Sequence, residues 1–214
     1  MTERDKMLAG ELYCPADAEL RKMYLKSKKL CYKYNKINPA REKKLEKKIK
    51  QILGRTGQNV RVTPPFYCDY GVNITVGENF FSNYGLIVLD VNRVTIGKNC
   101  MIAPNVGLYS ATHPVRAEER YNGVELGLPI TIGDNCWIGA GSIINPGVTI
   151  GNNVVVASGA VVTKSFPDNV LIGGCPAKII KELKWKIKND CKYAIVFILL
   201  FFFYIPLALC RLIF

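Results

Sequence analysis

The sequence has a single histidine in 214 residues, and its eight cysteines include no C-x-x-C pair. One imidazole excludes a zinc site built from three histidines. Cysteines without paired spacing favour reduced thiols, as in a cytosolic protein, over a disulfide framework. The sequence therefore predicts neither a metal cofactor nor covalent cross-links.

The N-terminus lacks the apolar run of a signal peptide, because MTERDKM is charged. Acidic side chains are also few beside basic ones. The formal net charge is +12, and residues 21–50 carry 13 Lys or Arg against Glu42 and Glu46. Such a region is typical of a solvated helical surface and also suits anionic lipid or phosphorylated ligands. No nucleic-acid-binding motif accompanies the charge, so we predict no nucleic-acid partner.

A repeat of six residues runs through the C-terminal half of the chain. Its large position holds β-branched aliphatic residues: Ile132, Ile138, Ile144, Ile150, Val156 and Val162. Small or medium residues stand four positions after the first five of these: Cys136, Ser142, Val148, Val154 and Ala160. This period fits neither a helix nor an alternating strand. It predicts a coil in which three six-residue units, with their large residues inward, close one triangular turn.

The same register recurs upstream and predicts coils over about residues 74–173. Its upstream members are Ile96, Ile102 and Leu108, with a weaker start at Val76. A polar insert, residues 109–129, interrupts the register and contains His113. An insert in a solenoid must loop out of the coil, and such loops tend to carry function.

Helical patterns precede the coils. Residues 17–35 are predicted to form one helix, and a second is predicted from Asn38-Pro39 to about Leu53. Residues 55–75 show neither period and are predicted to be irregular.

The end of the chain has a different composition. Residues 193–210 carry no charge and reach the lower limit of length for a helix that spans a bilayer. Lysines precede this run and Arg211 follows it. The pattern predicts a hydrophobic C-terminal helix and membrane association, with the preceding domain on the cytoplasmic side. The alternatives are a buried core helix and a subunit-contact helix.

Several motifs are more specific than the repeat. They are MLAGELY at 7–13, PPFYCDYGVNI at 64–74, FFSNYG at 80–85, LDVNRVTIG at 89–97, ATHP at 111–114, PITIGDNCWIGAGSIINPGVTIG at 129–151 and VVTK at 161–164. With these motifs the chain resembles the maltose/galactoside O-acetyltransferases, which are hexapeptide-repeat acyltransferases. The resemblance runs from about Met7 to Ile180.

The resemblance implies a mainly β fold, a left-handed parallel β-helix with an N-terminal helical segment. We divide the chain into a helical segment (1–57), a β-helix acyltransferase domain (58–180) with loop 109–129, and a basic linker with the hydrophobic C-terminal helix (181–214). The resemblance also implies a homotrimer with active sites between subunits. It implies transfer of acetyl from acetyl-CoA to a sugar or saccharide hydroxyl.

The resemblance assigns roles to particular residues. His113 matches the catalytic base, and an imidazole that titrates near neutrality suits the removal of a proton from a sugar hydroxyl. The implied acceptor-binding residues are Asn83, Asp17, Asp69 and Asp90. The implied CoA-binding residues are Ala140, Ser158, Thr163, Lys164, Lys178 and Lys181. Each aspartate also suits a turn. The Ala140 backbone N–H is the implied donor to the negatively charged intermediate.

Two departures from the family pattern concern the site: the first leaves the acceptor open, and the second concerns the geometry of CoA binding. Tyr24 stands where relatives often carry arginine near the acceptor. Lys178 and Lys181 stand where arginine is more usual against CoA phosphates, and lysine supplies charge without the bidentate geometry.

Two other functions remain possible at this stage. One is an acyltransferase for serine or another small acceptor, against which MLAGELY and LDVN favour sugars. The other is a non-catalytic, membrane-associated hexapeptide scaffold, against which His113 within ATHP argues.

Overall fold

The structure, a computed structural model, describes residues 1–184. The predicted hydrophobic helix at 193–210 lies outside the described residues. Within residues 1–184, no helix has both the length and the apolar character needed to cross a membrane.

Four helices occur in the described residues: α1 Glu3–Ala9, α2 Ala18–Asn35, α3 Glu42–Ile49 and α4 Ala117–Tyr121. The predicted helix over 17–35 is confirmed as α2. The start predicted for α3 was wrong, because the Asn38 side chain accepts the Ala40 N–H in a turn before the helix begins. Helix α1 was not predicted, although Thr2 and Asp5 form a capping box that marks its start.

The strands are short. They are β1 Arg55–Thr56, β2 Arg61–Val62, β3 Phe66–Cys68, β4 Ile74–Val76, β5 Phe81–Ser82, β6 Leu86–Leu89, β7 Val94–Ile96, β8 Met101–Ile102, β9 Gly107–Tyr109, β10 Ala111–Thr112, β11 Leu126–Gly127, β12 Ile130–Ile132, β13 Trp137–Ile138, β14 Ile143–Ile144, β15 Thr149–Ile150, β16 Val155–Val156, β17 Val161–Val162, β18 Val170–Gly173 and β19 Lys178–Glu182.

Three sheets of parallel strands form the faces of a triangular β-helix. Sheet 1 contains β1, β4, β7, β12 and β15, and sheet 3 contains β3, β6, β9, β14 and β17. Sheet 2 contains β2, β5, β8, β13, β16 and β18, with β19 added antiparallel at its edge. The chain passes through sheets 1, 2 and 3 in turn, which confirms the triangular coil that the six-residue period predicts.

The coils begin at Arg55, so the prediction that residues 55–75 are irregular was wrong. The reason is coil length. In the early coils, hydrogen bonds join corner asparagines that are 20 residues apart, Asn59 to Asn79 and Asn79 to Asn99. In the later coils, the hydrogen-bonded residues Asp134 and Asn152 are 18 residues apart. Two extra residues per coil break the six-residue register that reveals the later coils in the sequence.

The interior of the coils is filled as the repeat predicts. All six large aliphatic residues from Ile132 to Val162 are buried. Cys100 and Cys136 occupy small inward positions as free thiols, and each donates to a glycine carbonyl of the next coil at 3.1 Å. The interior is therefore a single apolar column in which the two thiols are satisfied locally.

Asparagines mark the corner between sheets 1 and 2. Six of them there adopt positive φ angles between 52° and 59°: Asn59, Asn79, Asn99, Asn135, Asn153 and Asn169. Their amides bond from coil to coil, as Asn99 shows by accepting from Asn79 and donating to Asn135, both at 2.9 Å. Asparagine tolerates the left-handed region better than most residues and adds these lateral hydrogen bonds.

Replacement of Asn99 separates these two contributions. Asn99→Ala removes both amide hydrogen bonds and leaves a non-glycine residue at a φ that costs roughly 1–2 kcal/mol. Asn99→Gly removes the same hydrogen bonds but tolerates the positive φ. We expect Asn99→Ala to lower the free energy of unfolding by about 1 kcal/mol more than Asn99→Gly does, as measured by urea denaturation. Equal losses would show that the left-handed backbone contributes no strain at this corner.

Candidate active site

The insert between β9 and β12 forms a hairpin that presents His113. Strand β10 pairs antiparallel with β11, with Thr112 opposite Leu126. His113 follows Thr112 directly and is exposed. Helix α4 lies in the outer part of the insert and buries no residue. The histidine therefore sits at the base of the insert, close to the coils, rather than at its tip.

The N-terminal segment holds the base of this hairpin. The backbones of Tyr13 and Glu125 exchange two hydrogen bonds of 2.9 and 3.0 Å, and the Tyr13 hydroxyl donates to the Glu125 carboxylate at 2.7 Å. Burial, together with this hydrogen bond, raises the pKa of Tyr13 far above its usual value. The phenol therefore stays protonated and remains a donor.

A group of polar and aromatic side chains lies beside Glu125. The Lys28 ammonium contacts the Asp69 carboxylate at 3.2 Å and lies 4.4 Å from the centre of the Tyr24 ring. Tyr24 meets Tyr70 edge to face, with ring centres 6.5 Å apart. Burial raises the pKa of Asp69, and the Lys28 ammonium opposes that rise. We call Lys28, Asp69, Tyr24, Tyr70 and Glu125 the polar cluster.

Asp90 is fully buried and organises the turn that carries Asp69. Its carboxylate accepts backbone N–H groups from Asp69 at 3.0 Å, Tyr70 at 2.9 Å and Asn73 at 3.3 Å. Burial raises the pKa of Asp90 to about 7, while the N–H groups of Tyr70 and Asn73 act in the opposite direction. These contacts fix the backbone of Asp69, and direct binding of a sugar by Asp90 stays a prediction.

Asp17 has a structural role in the described residues. It is the N-cap of α2 and accepts the N–H groups of Glu19 at 2.9 Å and Leu20 at 3.2 Å. Its predicted contact with the acceptor stays a prediction.

The predicted site residues that belong to the corners of the coils lie at two different corners of the β-helix. Asp69, Asp90 and the insert with His113 follow strands of sheet 3, at the corner between sheets 3 and 1. Asn83 and Ala140 follow strands of sheet 2, at the corner between sheets 2 and 3. A strand of sheet 3 lies between these corners, and four residues of strand span about 13 Å. One chain therefore does not bring His113 and Asn83 to the same edge.

The predicted CoA-binding residues lie on the later coils. Ala140 and Ser158 are stacked at the corner between sheets 2 and 3, where the Gly159 N–H donates to the Ala140 carbonyl at 2.8 Å. Within residues 1–184, the Ala140 N–H has no protein acceptor. Thr163 and Lys164 lie exposed at the corner after β17. Lys178 and Lys181 lie exposed on β19.

Sequence reasoning missed Tyr13, Glu125, Lys28 and Asn92. The buried Asn92 amide donates to the carbonyl of Gly127 at 2.8 Å and to that of Met7 at 3.1 Å. Lys28 and Glu125 stand in helical and polar stretches where nothing distinguishes them from surface residues, whereas Tyr13 ends the MLAGELY motif. Asn92 lies in the LDVN motif, which supplied a signal without a role. Within residues 1–184, no three His, Cys, Asp or Glu side chains group as a metal site.

Comparison with known proteins agrees with this architecture. A family model described as the maltose acetyltransferase hexapeptide capping motif matches residues 6–57. A second, described as bacterial transferase hexapeptide (six repeats), matches residues 129–164. The galactoside O-acetyltransferase of Escherichia coli (strain K12) is 44% identical over 189 residues, covering 88% of this chain and 92% of the relative.

Two solved structures share the fold over nearly their whole length. A maltose O-acetyltransferase from Clostridium difficile 630 has a TM-score of 0.85 at 46% identity, covering 86% of this chain and 99% of that one. A galactoside acetyltransferase in complex with coenzyme A has a TM-score of 0.83 at 41% identity, covering 88% and 97%. Coverage of this extent takes in the N-terminal cap, the insert and the coils together. The chain therefore belongs to the maltose/galactoside O-acetyltransferase family of hexapeptide-repeat acyltransferases.

Proposed function

We propose that the protein transfers the acetyl group of acetyl-CoA to a hydroxyl of a sugar or saccharide, with His113 as the general base. The observation that carries this proposal is the position of His113. His113 follows β10, whose partner β11 begins one residue after Glu125, and the negative charge of Glu125 adds to the burial that raises the pKa of Asp69 in the polar cluster. This pairing supports an imidazole close to groups that suit a polyhydroxylated acceptor.

The proposed reaction follows from the residue types. The His113 imidazole takes the proton of the sugar hydroxyl as the oxygen attacks the thioester carbonyl. The carbonyl oxygen then carries negative charge, and the Ala140 N–H is the proposed donor to it. When the C–S bond breaks, the CoA thiolate leaves and receives the proton from the imidazolium. The products are an O-acetyl sugar and CoA with a free thiol.

The polar cluster supports a sugar as acceptor. A sugar offers hydroxyls that both donate and accept, together with C–H faces that pack on aromatic rings. The cluster offers the carboxylates of Asp69 and Glu125, the Lys28 ammonium and the partly exposed Tyr24 ring, which meets the buried Tyr70 ring. Two relatives named for galactoside and maltose acetylation have the same fold. The family's acceptor amide, matched by Asn83, is proposed to bind a further sugar oxygen.

CoA binding is proposed for the later coils. Lys164, Lys178 and Lys181 carry exposed ammonium groups on the last described coils, where they suit CoA phosphates. Ser158 and Thr163 add exposed hydroxyls nearby along the same coils. One relative of the same fold is described in complex with coenzyme A.

We also propose a homotrimer of left-handed coils with active sites between subunits. The outward residues of sheet 1 are polar: Arg55, Thr75, Thr95, Thr131 and Thr149. Those of sheet 2 are apolar after Arg61 on the first strand: Phe81, Met101, Trp137, Val155 and Leu171. Met101 is 53% exposed and Trp137 is 44% exposed in the single chain. Such a ladder favours cover by another subunit, which supports a contact beside the corner that bears Asn83 and Ala140.

Cytoplasmic membrane association through residues 193–210 is likewise proposed. The run has no charge and follows a lysine-rich stretch, as a positive-inside orientation requires. Helix α2 supports this, because its outward face carries the exposed lysines Lys22, Lys26, Lys29 and Lys33, and the exposed Lys36 follows at its C-cap. Lysines near an anionic leaflet each contribute about 1 kcal/mol of attraction. A membrane-proximal saccharide is the acceptor that such an arrangement would favour.

Replacement of His113 tests the reaction. We expect His113→Ala to lower kcat by about 10² to 10⁴, because the sugar hydroxyl loses its base. Release of CoA thiol from acetyl-CoA, followed across a panel of sugars, is the measurement. The variant should keep the oligomeric state and thermal unfolding of the natural protein. Near-normal turnover in His113→Ala would disprove the assignment of the base.

Mixed trimers test whether the site is shared between subunits. His113→Ala and Asn83→Ala chains should each be nearly inactive alone. If His113 and Asn83 act from neighbouring subunits, every mixed trimer contains one site in three with both natural residues. Coexpression with two affinity tags isolates mixed trimers, and their kcat per trimer should reach about one third of the natural value. No recovery would place both residues within one chain or exclude the trimer.

Removal of the hydrophobic run tests the membrane proposal. Truncation after Lys192 should yield a protein that fractionates as soluble and still acetylates a free sugar. The full chain should instead sediment with membranes and resist extraction by salt, because apolar burial rather than charge retains it. Recovery of the full chain in the soluble fraction without detergent would contradict the proposal.

A further inference from the structure

The hairpin that presents His113 is too small to hold its own shape. Strands β10 and β11 have two residues each. An isolated two-stranded hairpin is at best marginally stable in water. Within residues 1–184, the His113 side chain makes no hydrogen bond. The position of His113 is therefore set by the backbone around it.

Glu125 and the two residues of β11, Leu126 and Gly127, each bond to a different part of the chain. Tyr13 holds Glu125 through two backbone hydrogen bonds and the hydroxyl-to-carboxylate bond. Leu126 pairs with Thr112, the residue before His113. The Asn92 amide holds the carbonyl of Gly127. Tyr13 and Asn92 therefore hold the chain on both sides of Leu126, whose partner Thr112 precedes His113.

Asn92 joins three separate parts of the chain. Its amide nitrogen donates to Gly127, and also to the carbonyls of Met7 at 3.1 Å and Leu8 at 3.4 Å near the end of α1. Its amide oxygen accepts the Arg93 N–H at 2.7 Å. A buried amide that is bonded on both sides is costly to replace, because each lost partner leaves a polar group unsatisfied. The N-terminal segment and the insert are therefore coupled through one side chain.

From these contacts we propose that Tyr13 and Asn92 are positioning residues for His113, through which the N-terminal segment sets the placement of the catalytic base. The proposal rests on the function proposed above, in which His113 takes the acceptor proton. Neither residue needs to touch the acceptor or CoA in this role. A displacement of about 1 Å in a catalytic group is enough to lower a rate by about 10²-fold.

Tyr13→Phe is the primary test, because it removes one hydroxyl and keeps the buried ring. Tyr34→Phe is the matched control. Tyr34 is also buried in the N-terminal segment, and its hydroxyl donates to the Val62 carbonyl, remote from the insert. We expect Tyr13→Phe to lower kcat at least 10-fold with the KM for acetyl-CoA unchanged, and Tyr34→Phe to keep kcat within about twofold.

Hydrogen exchange measured by mass spectrometry supplies a readout that is independent of catalysis. Peptides covering 111–127 should exchange faster in Tyr13→Phe than in Tyr34→Phe, while peptides from the later coils stay unchanged. Asn92→Asp is the second variant, since it is isosteric but loses the amide donors to three carbonyls. It should show the same pattern, with folding checked by thermal unfolding. If Asn92→Asp does not fold, Tyr13→Phe alone decides.

The outcomes separate this proposal from the assignment of the base. Faster exchange of the insert without loss of kcat would overturn the positioning role and leave His113 as the base. Equal losses of kcat in Tyr13→Phe and Tyr34→Phe would also overturn it, because they would reflect stability alone. Full turnover in His113→Ala would instead overturn the base, whatever the exchange data show. Loss of kcat together with faster exchange of the insert, confined to Tyr13→Phe and absent from Tyr34→Phe, would support positioning.

Discussion

The close approach of successive coils at the corner between sheets 1 and 2 is the constraint on which the rest of the structure depends. A Cβ on Gly97 would lie 2.7 Å from the carbonyl carbon of Gly133, and one on Gly133 would lie 2.7 Å from that of Gly151. No side chain fits between backbones at such distances. Only glycine lets the coils stack at strand spacing, and that stacking sets the register of all three sheets.

Because of this constraint, the three corners of the coil have different roles. The corner of glycines and asparagines has a structural role, because its side chains bond from coil to coil. The other two corners are free to carry chemistry, one with Asn83 and Ala140 and the other with Asp69 and the insert. An insert at the structural corner would break the asparagine ladder. The insert that bears His113 instead leaves after sheet 3, where Ser110 anchors its start by donating to Leu89 at 2.7 Å.

Most of the coil region was predictable because its energetics are local and repeated. Ile138 and its equivalents recur every six residues since each coil must bury the same face. The first coils escaped prediction because 20-residue turns blur that period, as between Asn59 and Asn79. The polar cluster was only partly predictable. Lys28 and Glu125 are far apart in the sequence, and no local pattern shows that α2 and the insert converge beside Asp69.

Buried polar groups explain how the base of the insert is held in one place. The apolar column stabilises the coils but does not fix the position of the insert. Two buried polar side chains contribute to that position. Asp90 bonds to backbone groups of the neighbouring turn, and Asn92 bonds to backbone groups of the N-terminal segment and the insert. A hydrophobic side chain at either position would leave those backbone groups without partners. Placement of the insert and of the turn at Asp69 therefore depends on a few buried polar side chains in a fold that is otherwise built largely from aliphatic ones.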